Sequence, residues 1–278
     1  MIKYLSTLSL FLTFSCTTET ISQNTKTTVT DSALTIEFEE DQSVIFENAE
    51  TIKERFVEFG NYKRQELDSN SFAYYLRNLA LKPFGEKVKY YNGAIKDNEG
   101  IYISVVDMKI GKRDLQQCAD AVMRLRGEYL YQKKDFNNIH FNFLSDGKPR
   151  YFNDYAKGDY SYKKFTKYMD YIFSYANTGS LHKELVKVNN INDIQIGDVF
   201  IQTGNPYGHA IIVVDLMQNP KGEKVILLAQ SYMPAQETQI LINPDNSNIS
   251  PWYKLDNKNG NLETPEWSFT YNDLRRFK

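Results

Sequence analysis

The 278-residue sequence has few thiols and imidazoles: two cysteines, Cys16 and Cys118, and three histidines, His140, His182 and His209. No metal-ligand spacing can be assembled from them, and the chain carries neither a phosphate-binding loop nor a cofactor fingerprint, so no metal or cofactor is expected. The formal net charge of −2 offers no basic excess for nucleic acid. The apolar run at 5–14 is too short to span a bilayer. There is no internal repeat and no interior linker.

What is present begins with a leader. Residues 1–16 (MIKYLSTLSLFLTFSC) have an early lysine, an apolar core and a closing Ser15-Cys16. This has the shape of a signal peptide and resembles a bacterial lipoprotein signal, with Cys16 as the lipidated residue. The alternative is a non-lipidated signal peptide with an incidental cysteine. Either way the mature chain is exported, and lipidation would hold it at the bacterial cell envelope. Residues 17–32 are polar and Thr-rich, the composition of a flexible tether. Residues 33–278 form one domain with ordinary apolar content and abundant aromatics, 20 Tyr and 17 Phe.

Periodicity predicts helices over 51–59 and 69–81, the second burying Phe72, Tyr75, Leu76 and Leu79 and stopped by Pro83. Strands are predicted at 87–91 and 101–106, a hairpin over 140–152, and helices over 160–175 and 180–188. From Ile194, three segments (IQIGDVFIQTG, GHAIIVVDL, KVILLAQSY) read as an antiparallel meander, with a turn over 219–223.

The stretch 113–131 (RDLQQCADAVMRLRGEYLY) is central. Asp114 can cap a helix there, with Gln117 completing a capping box. Leu115, Cys118, Ala119, Val122, Leu125 and Tyr129 share its apolar face. A cysteine near a helix N-terminus is a candidate thiolate nucleophile. A buried core cysteine would occupy the same face. If Cys16 is lipidated, Cys118 has no disulfide partner within the chain. Arg124 lies away from Cys118 and is expected to be solvated or ion-paired.

His209 opens an apolar strand after Pro206-Tyr207-Gly208 and is either a hydrogen-bonded structural group or a site residue. A turn centred between Pro220 and Lys221 puts Ile211 opposite Gln230 and His209 opposite Tyr232. His209 and Gln230 then share a face; a shift of one residue would bring Ser231 forward instead. Gln230 is thus the candidate orienter of the imidazole and Ser231 the fallback. Cys118, His209 and Gln230 form a nucleophile–base–orienter set for acyl transfer. Backbone N–H groups at the helix start, with the Gln117 side chain, would supply the oxyanion donors. Tyr207, Tyr232 and Trp252 are candidate walls of a substrate groove.

Gln117-Cys118, Gly197-Asp198-Val199 and Gly208-His209-Ala210 with its apolar strand resemble the papain-like CHAP and NlpC-type amidases and endopeptidases of bacterial cell walls. That resemblance implies an α+β fold with a nucleophile helix packed on an antiparallel sheet, here with N-terminal and central helical additions. It also implies hydrolysis of a peptide or amide bond, as in peptidoglycan. Gln230 stands near the place where a Glu or Asn is usual. The stretches YLRNLALKP, DLQQCADAVMRLRGEYLY, IGDVFIQTGNPYGHAIIVVD, LLAQSYMPAQ and SPWY are similar to an uncharacterised bacterial lipoprotein family, domain-of-unknown-function family 4846. A non-catalytic envelope lipoprotein on the same fold, binding or scaffolding, is the alternative function.

Overall fold

A computed structural model describes residues 28–30, 33–35, 44–97, 100–255 and 260–278. The expected leader, Cys16 and all of the expected tether except 28–30 lie outside the described residues. The chain divides into Met1–Gln42 and Ser43–Lys278. In the first unit β1 (Thr28–Thr30) pairs antiparallel with β2 (Ala33–Thr35).

The second unit is α+β. In chain order it comprises α1 (Ile52–Arg55), α2 (Phe72–Arg77), β3 (Tyr102–Val105), α3 (Cys118–Gln132), β4 (His140–Asn142), β5 (Pro149–Tyr151), α4 (Phe152–Ala156), α5 (Tyr162–Phe173) and α6 (Thr178–Glu184). Then follow β6 (Val186–Lys187), β7 (Val199–Gln202), β8 (His209–Gln218), β9 (Lys224–Gln230), β10 (Gln239–Leu241), β11 (Tyr253–Lys254), β12 (Asn261–Glu263), β13 (Ser268–Thr270) and β14 (Leu274–Arg276). The main sheet runs β3-β10-β9-β8-β7-β14-β6, with β11 also on β9, and its pairings are antiparallel. Among the described residues no helix is long and apolar enough to cross a membrane.

The central strands are nearly continuous apolar runs because both of their faces are covered. On one face Ile212, Val214, Met217, Leu227 and Ala229 share a core with Ala119, Val122 and Met123 of α3 and Phe165, Met169 and Ile172 of α5. On the other, Ile211, Val213, Ile226 and Leu228 meet Phe200, Tyr253, Leu262, Phe269 and Leu274. Burying each such side chain contributes roughly 1.5–3 kcal/mol relative to exposure. The sheet therefore holds α3 firmly by its inward face.

Several elements are shorter than periodicity predicts. The helix expected over 51–59 ends at Arg55, because Phe56 turns extended (φ −104°, ψ 92°) and bridges to Ile45. In the second, the Ser71 hydroxyl accepts from the Tyr74 N–H and caps α2, which stops at Asn78, whose side-chain amide donates to the Tyr74 carbonyl. The strand expected over 87–91 is reduced to bridges from Lys89 to Ile95 and from Tyr90 to Gln236. Asn177 rather than Ser180 caps α6; its side chain accepts from the Ser180 N–H.

The start of α3 is also displaced. Gln117, in extended conformation, is the N-cap, and Asp120 Oδ2 accepts its N–H at 3.1 Å. Asp114 does not cap. Its Oδ1 accepts from Gln117 Nε2 (3.0 Å) and from the Ala235 N–H (2.7 Å), tying the approach to α3 to the loop after β9. Cys118 is therefore the first residue of the helix, nearer the positive end of its dipole than the expected frame put it.

Candidate functional site

Cys118 is 5% exposed. Its Sγ lies 3.8 Å from Thr178 Oγ1 at the start of α6 and 3.9 Å from the Gly208 carbonyl oxygen. Burial is the largest influence on the thiol and raises its pKa; the Asp120 carboxyl raises it further, while Thr178 and the N–H groups of Ala119 and Ala210 act the other way. The thiol is therefore neutral at pH 7. Asp120, buried on the first turn, is itself pushed up to about 8 by loss of hydration.

Gly208 and Ala210 flank His209, so the sulfur packs against the strand edge that carries the imidazole. Gly208 has no room for a side chain: a Cβ would stand 2.2 Å from the Gln202 carbonyl oxygen. His209 is fully buried, its ring against Tyr232 (4.9 Å between centroids), Trp267 (5.3 Å) and Phe269 (5.9 Å). Its Nε2 is 2.9 Å from Gln230 Oε1, and its Nδ1 is buried without a hydrogen-bond partner. Burial lowers its pKa to about 4, partly offset by the Gln230 hydrogen bond and assisted by the Lys96 cation. Imidazole and thiol are both neutral, so the resting site holds no thiolate–imidazolium pair.

The pairing of His209 with Gln230 follows from register. Ile212 opposes Ala229 and Val213 opposes Leu228, the same frame as the expected pairing of Ile211 with Gln230. Nearer the turn the frame shifts by one, Asp215 opposing Leu227, because a bulge lies between Val213 and Asp215. Ser231 is not the orienter: its hydroxyl donates to the Gln236 carbonyl at 2.7 Å.

Behind Gln230 stands a second layer. Gln230 Nε2 donates to Glu266 Oε2 at 2.6 Å, and Lys96 Nζ lies 2.9 Å from both Glu266 oxygens. The Lys96 side chain is 3% exposed and that of Glu266 14%.

Residues 52–276 match the family described as domain of unknown function (4846). The chain belongs to that family. The matched span contains Cys118, His209, Gln230 and Glu266, and leaves Cys16 outside. No curated protein and no solved structure matches the chain.

The remaining candidates separate. Tyr232 is half-buried beside His209, with Lys96 Nζ 5.7 Å from its ring centroid. Tyr207, 63% exposed, directly precedes Gly208. Trp252 is not a groove wall: it is 0% exposed in the core, with Phe59 6.4 Å and Arg64 5.5 Å from its ring. The Gln117 side-chain donor, expected at an oxyanion, is engaged by Asp114. The helix-start backbone N–H groups are the donors closest to the sulfur in sequence. His182 contacts Arg275, and His140 lies 3.9 Å from Glu184. Of the two roles expected for Arg124 the structure shows the ion pair, with Glu128 at 2.7 Å, and it is buried, held also by Gln116 (3.2 Å) and Tyr162 (3.1 Å).

Sequence reasoning missed Thr178, Asp120, Trp267, Glu266 and Lys96. Asp120 was readable as the third residue after Gln117 once the cap is moved to Gln117. Glu266 and Lys96 have no such signal, since only tertiary folding brings the β12–β13 turn and the 84–97 loop to β9.

Proposed function

We propose that this chain is a cysteine hydrolase of the bacterial cell envelope, lipid-anchored through Cys16, with a papain-like arrangement of helix and sheet. Its substrate would be a peptide or amide, peptidoglycan stem peptide being the class that fits an exported enzyme. The observation that carries the reading is the His209 ring: Nε2 is hydrogen-bonded with Gln230, while Nδ1 has no hydrogen-bond partner, on the strand whose start Cys118 Sγ packs against.

Because both groups are neutral, the proton moves during attack instead of before it. His209 Nδ1 takes the thiol proton as Sγ bonds the carbonyl carbon, whose π pair moves to oxygen. N–H groups at the start of α3 stabilise that oxyanion. The C–N bond then breaks as His209 returns the proton to the leaving amine, giving an acyl-thioester. Water, deprotonated by His209, releases the acid and restores the thiol.

The burial of Cys118 and His209 favours a second reading, a non-catalytic envelope module that binds or scaffolds on the same fold. Incubating the full chain with purified peptidoglycan and reading new amine and carboxyl ends by mass spectrometry separates the two. The hydrolase reading expects release that falls at least about a hundredfold in Cys118→Ser and in His209→Ala. Release indifferent to Cys118→Ser defeats it. Absence of release, together with an unchanged cellular phenotype of Cys118→Ser, favours the binding module.

A further inference from the structure

We infer that Glu266 is a positioning residue that fixes His209 as its Nε2–H tautomer by orienting the Gln230 amide. A carboxylate only accepts hydrogen bonds, so the Gln230 atom facing Glu266 Oε2 at 2.6 Å must be the NH2 nitrogen. That leaves Gln230 Oε1, an acceptor only, facing His209 at 2.9 Å. The ring nitrogen that meets it must carry the proton, which makes Nε2 the donor and Nδ1 the lone-pair base. Lys96, bonded to both Glu266 oxygens, keeps that group an acceptor at the head of the chain.

Gln230, Lys96 and His209 are buried, and Glu266 is partly buried. Gln230 is 2% exposed, Lys96 4% and His209 0%, so little water competes to reorient the amide. Without Glu266, Gln230 could turn its NH2 group toward the ring, and His209 would then accept at Nε2 and carry its proton on Nδ1. That tautomer cannot take a proton from the thiol. The titratable and charged groups near the ring are Tyr232 after β9 and Lys96 from the 84–97 loop, while Glu266 from the β12–β13 turn reaches it through Gln230. Of these, Glu266 sets which Gln230 atom faces the ring.

The catalytic consequence rests on the hydrolase reading, whereas the tautomer itself does not. Nitrogen-15 labelling of histidine in the full chain, with the His209 signals assigned by their loss in His209→Gln, reads the tautomer directly. The wild-type protein should show a protonated Nε2 and a bare Nδ1. Glu266→Gln, which can present either an oxygen or an NH2 group, should shift the ratio toward Nδ1–H by about tenfold, the worth of a charge-assisted hydrogen bond. The exchanged pair Gln230→Glu with Glu266→Gln preserves shape and charge and again places an obligate acceptor at the ring, so it should restore Nε2–H. An Nδ1–H ring in the wild type or in the exchanged pair overturns the inference, as does an unchanged ratio in Glu266→Gln. A wild-type Nε2–H ring in a chain without turnover leaves the inference standing and removes the hydrolase reading; Nδ1–H with turnover does the reverse.

Discussion

Strand β8 carries two buried polar centres that are built on opposite principles. At Asp215 both oxygens are engaged: Oδ2 accepts from Arg64 Nε (2.7 Å), and Oδ1 accepts from Arg77 Nε (2.7 Å) and from the Leu216 N–H (2.8 Å). The arginines are closed off in turn, Arg77 by the carbonyls of Gln65 and Leu216 and Arg64 by that of Phe56. At His209, on the same strand, Nδ1 has no partner, and neither has Asp120 Oδ1 beside Cys118 or Gln116 Nε2 just ahead of it. A buried polar atom without a partner costs roughly 1–3 kcal/mol. The first centre engages both carboxylate oxygens with cations; the second leaves polar atoms buried and unpartnered.

This contrast can be broken most sharply at Asp215. Asp215→Ala leaves two largely buried guanidinium groups without their anion and should destabilise by about 3–5 kcal/mol, read from the urea midpoint. A loss under about 1 kcal/mol would mean that the cluster holds nothing together.

At His209 the expected effect is smaller and depends on pH. Its folded-state pKa lies below the ordinary 6.5, at about 4, so its contribution is complete above 6.5 and is lost as pH falls from 6.5 toward 4. That loss amounts to roughly 3 kcal/mol at most. Asp120 runs oppositely: raised from 3.8 to about 8, it weakens the fold as pH rises between those values. The informative quantity is therefore the difference between wild type and His209→Gln, which should shift in favour of the variant between pH 6.5 and 4. A difference independent of pH would mean that His209 titrates normally and is hydrated.

Cys118→Ala should have the smallest effect, about 1 kcal/mol, because the sulfur has only long contacts to Thr178 and Gly208. A cost well above 2 kcal/mol would move Cys118 to the same side of the comparison as Asp215, a packing element of the scaffold.

Much of this architecture could be read from residue order. The apolar runs of β7, β8 and β9 and the turn region at 219–223 are local signals, while the α+β class was implied by the family resemblance. The His209–Gln230 pairing came out right because two errors cancel: the turn is centred on Lys221, with Gln218 opposing Lys224, and the bulge between Val213 and Asp215 brings the strands back to the expected frame before the site. The start of α3 was misread because Asp114 is a good capping residue by type, yet a distant backbone N–H at Ala235 claims it. Trp252 shows the same limit: by sequence an indole in SPWY suits a groove wall or the core equally, and packing against Phe59 and Arg64 decides for the core. Glu266 and Lys96 reach the site by tertiary contact alone, with no periodicity to announce them.

The bulge in β8 divides one hairpin into two independently registered halves. On the sheet side of it, Gln230 and Ala229 are pinned by β10, where Gln239 opposes Gln230 and Ile240 opposes Ala229. On the turn side, Gln218 opposes Lys224 in a frame displaced by one residue. Length changes in the 219–223 loop can be absorbed at that seam, so drift among relatives at the tip of the hairpin need not travel to the imidazole. The histidine's partner is held by the neighbouring strand, and the turn keeps a register of its own.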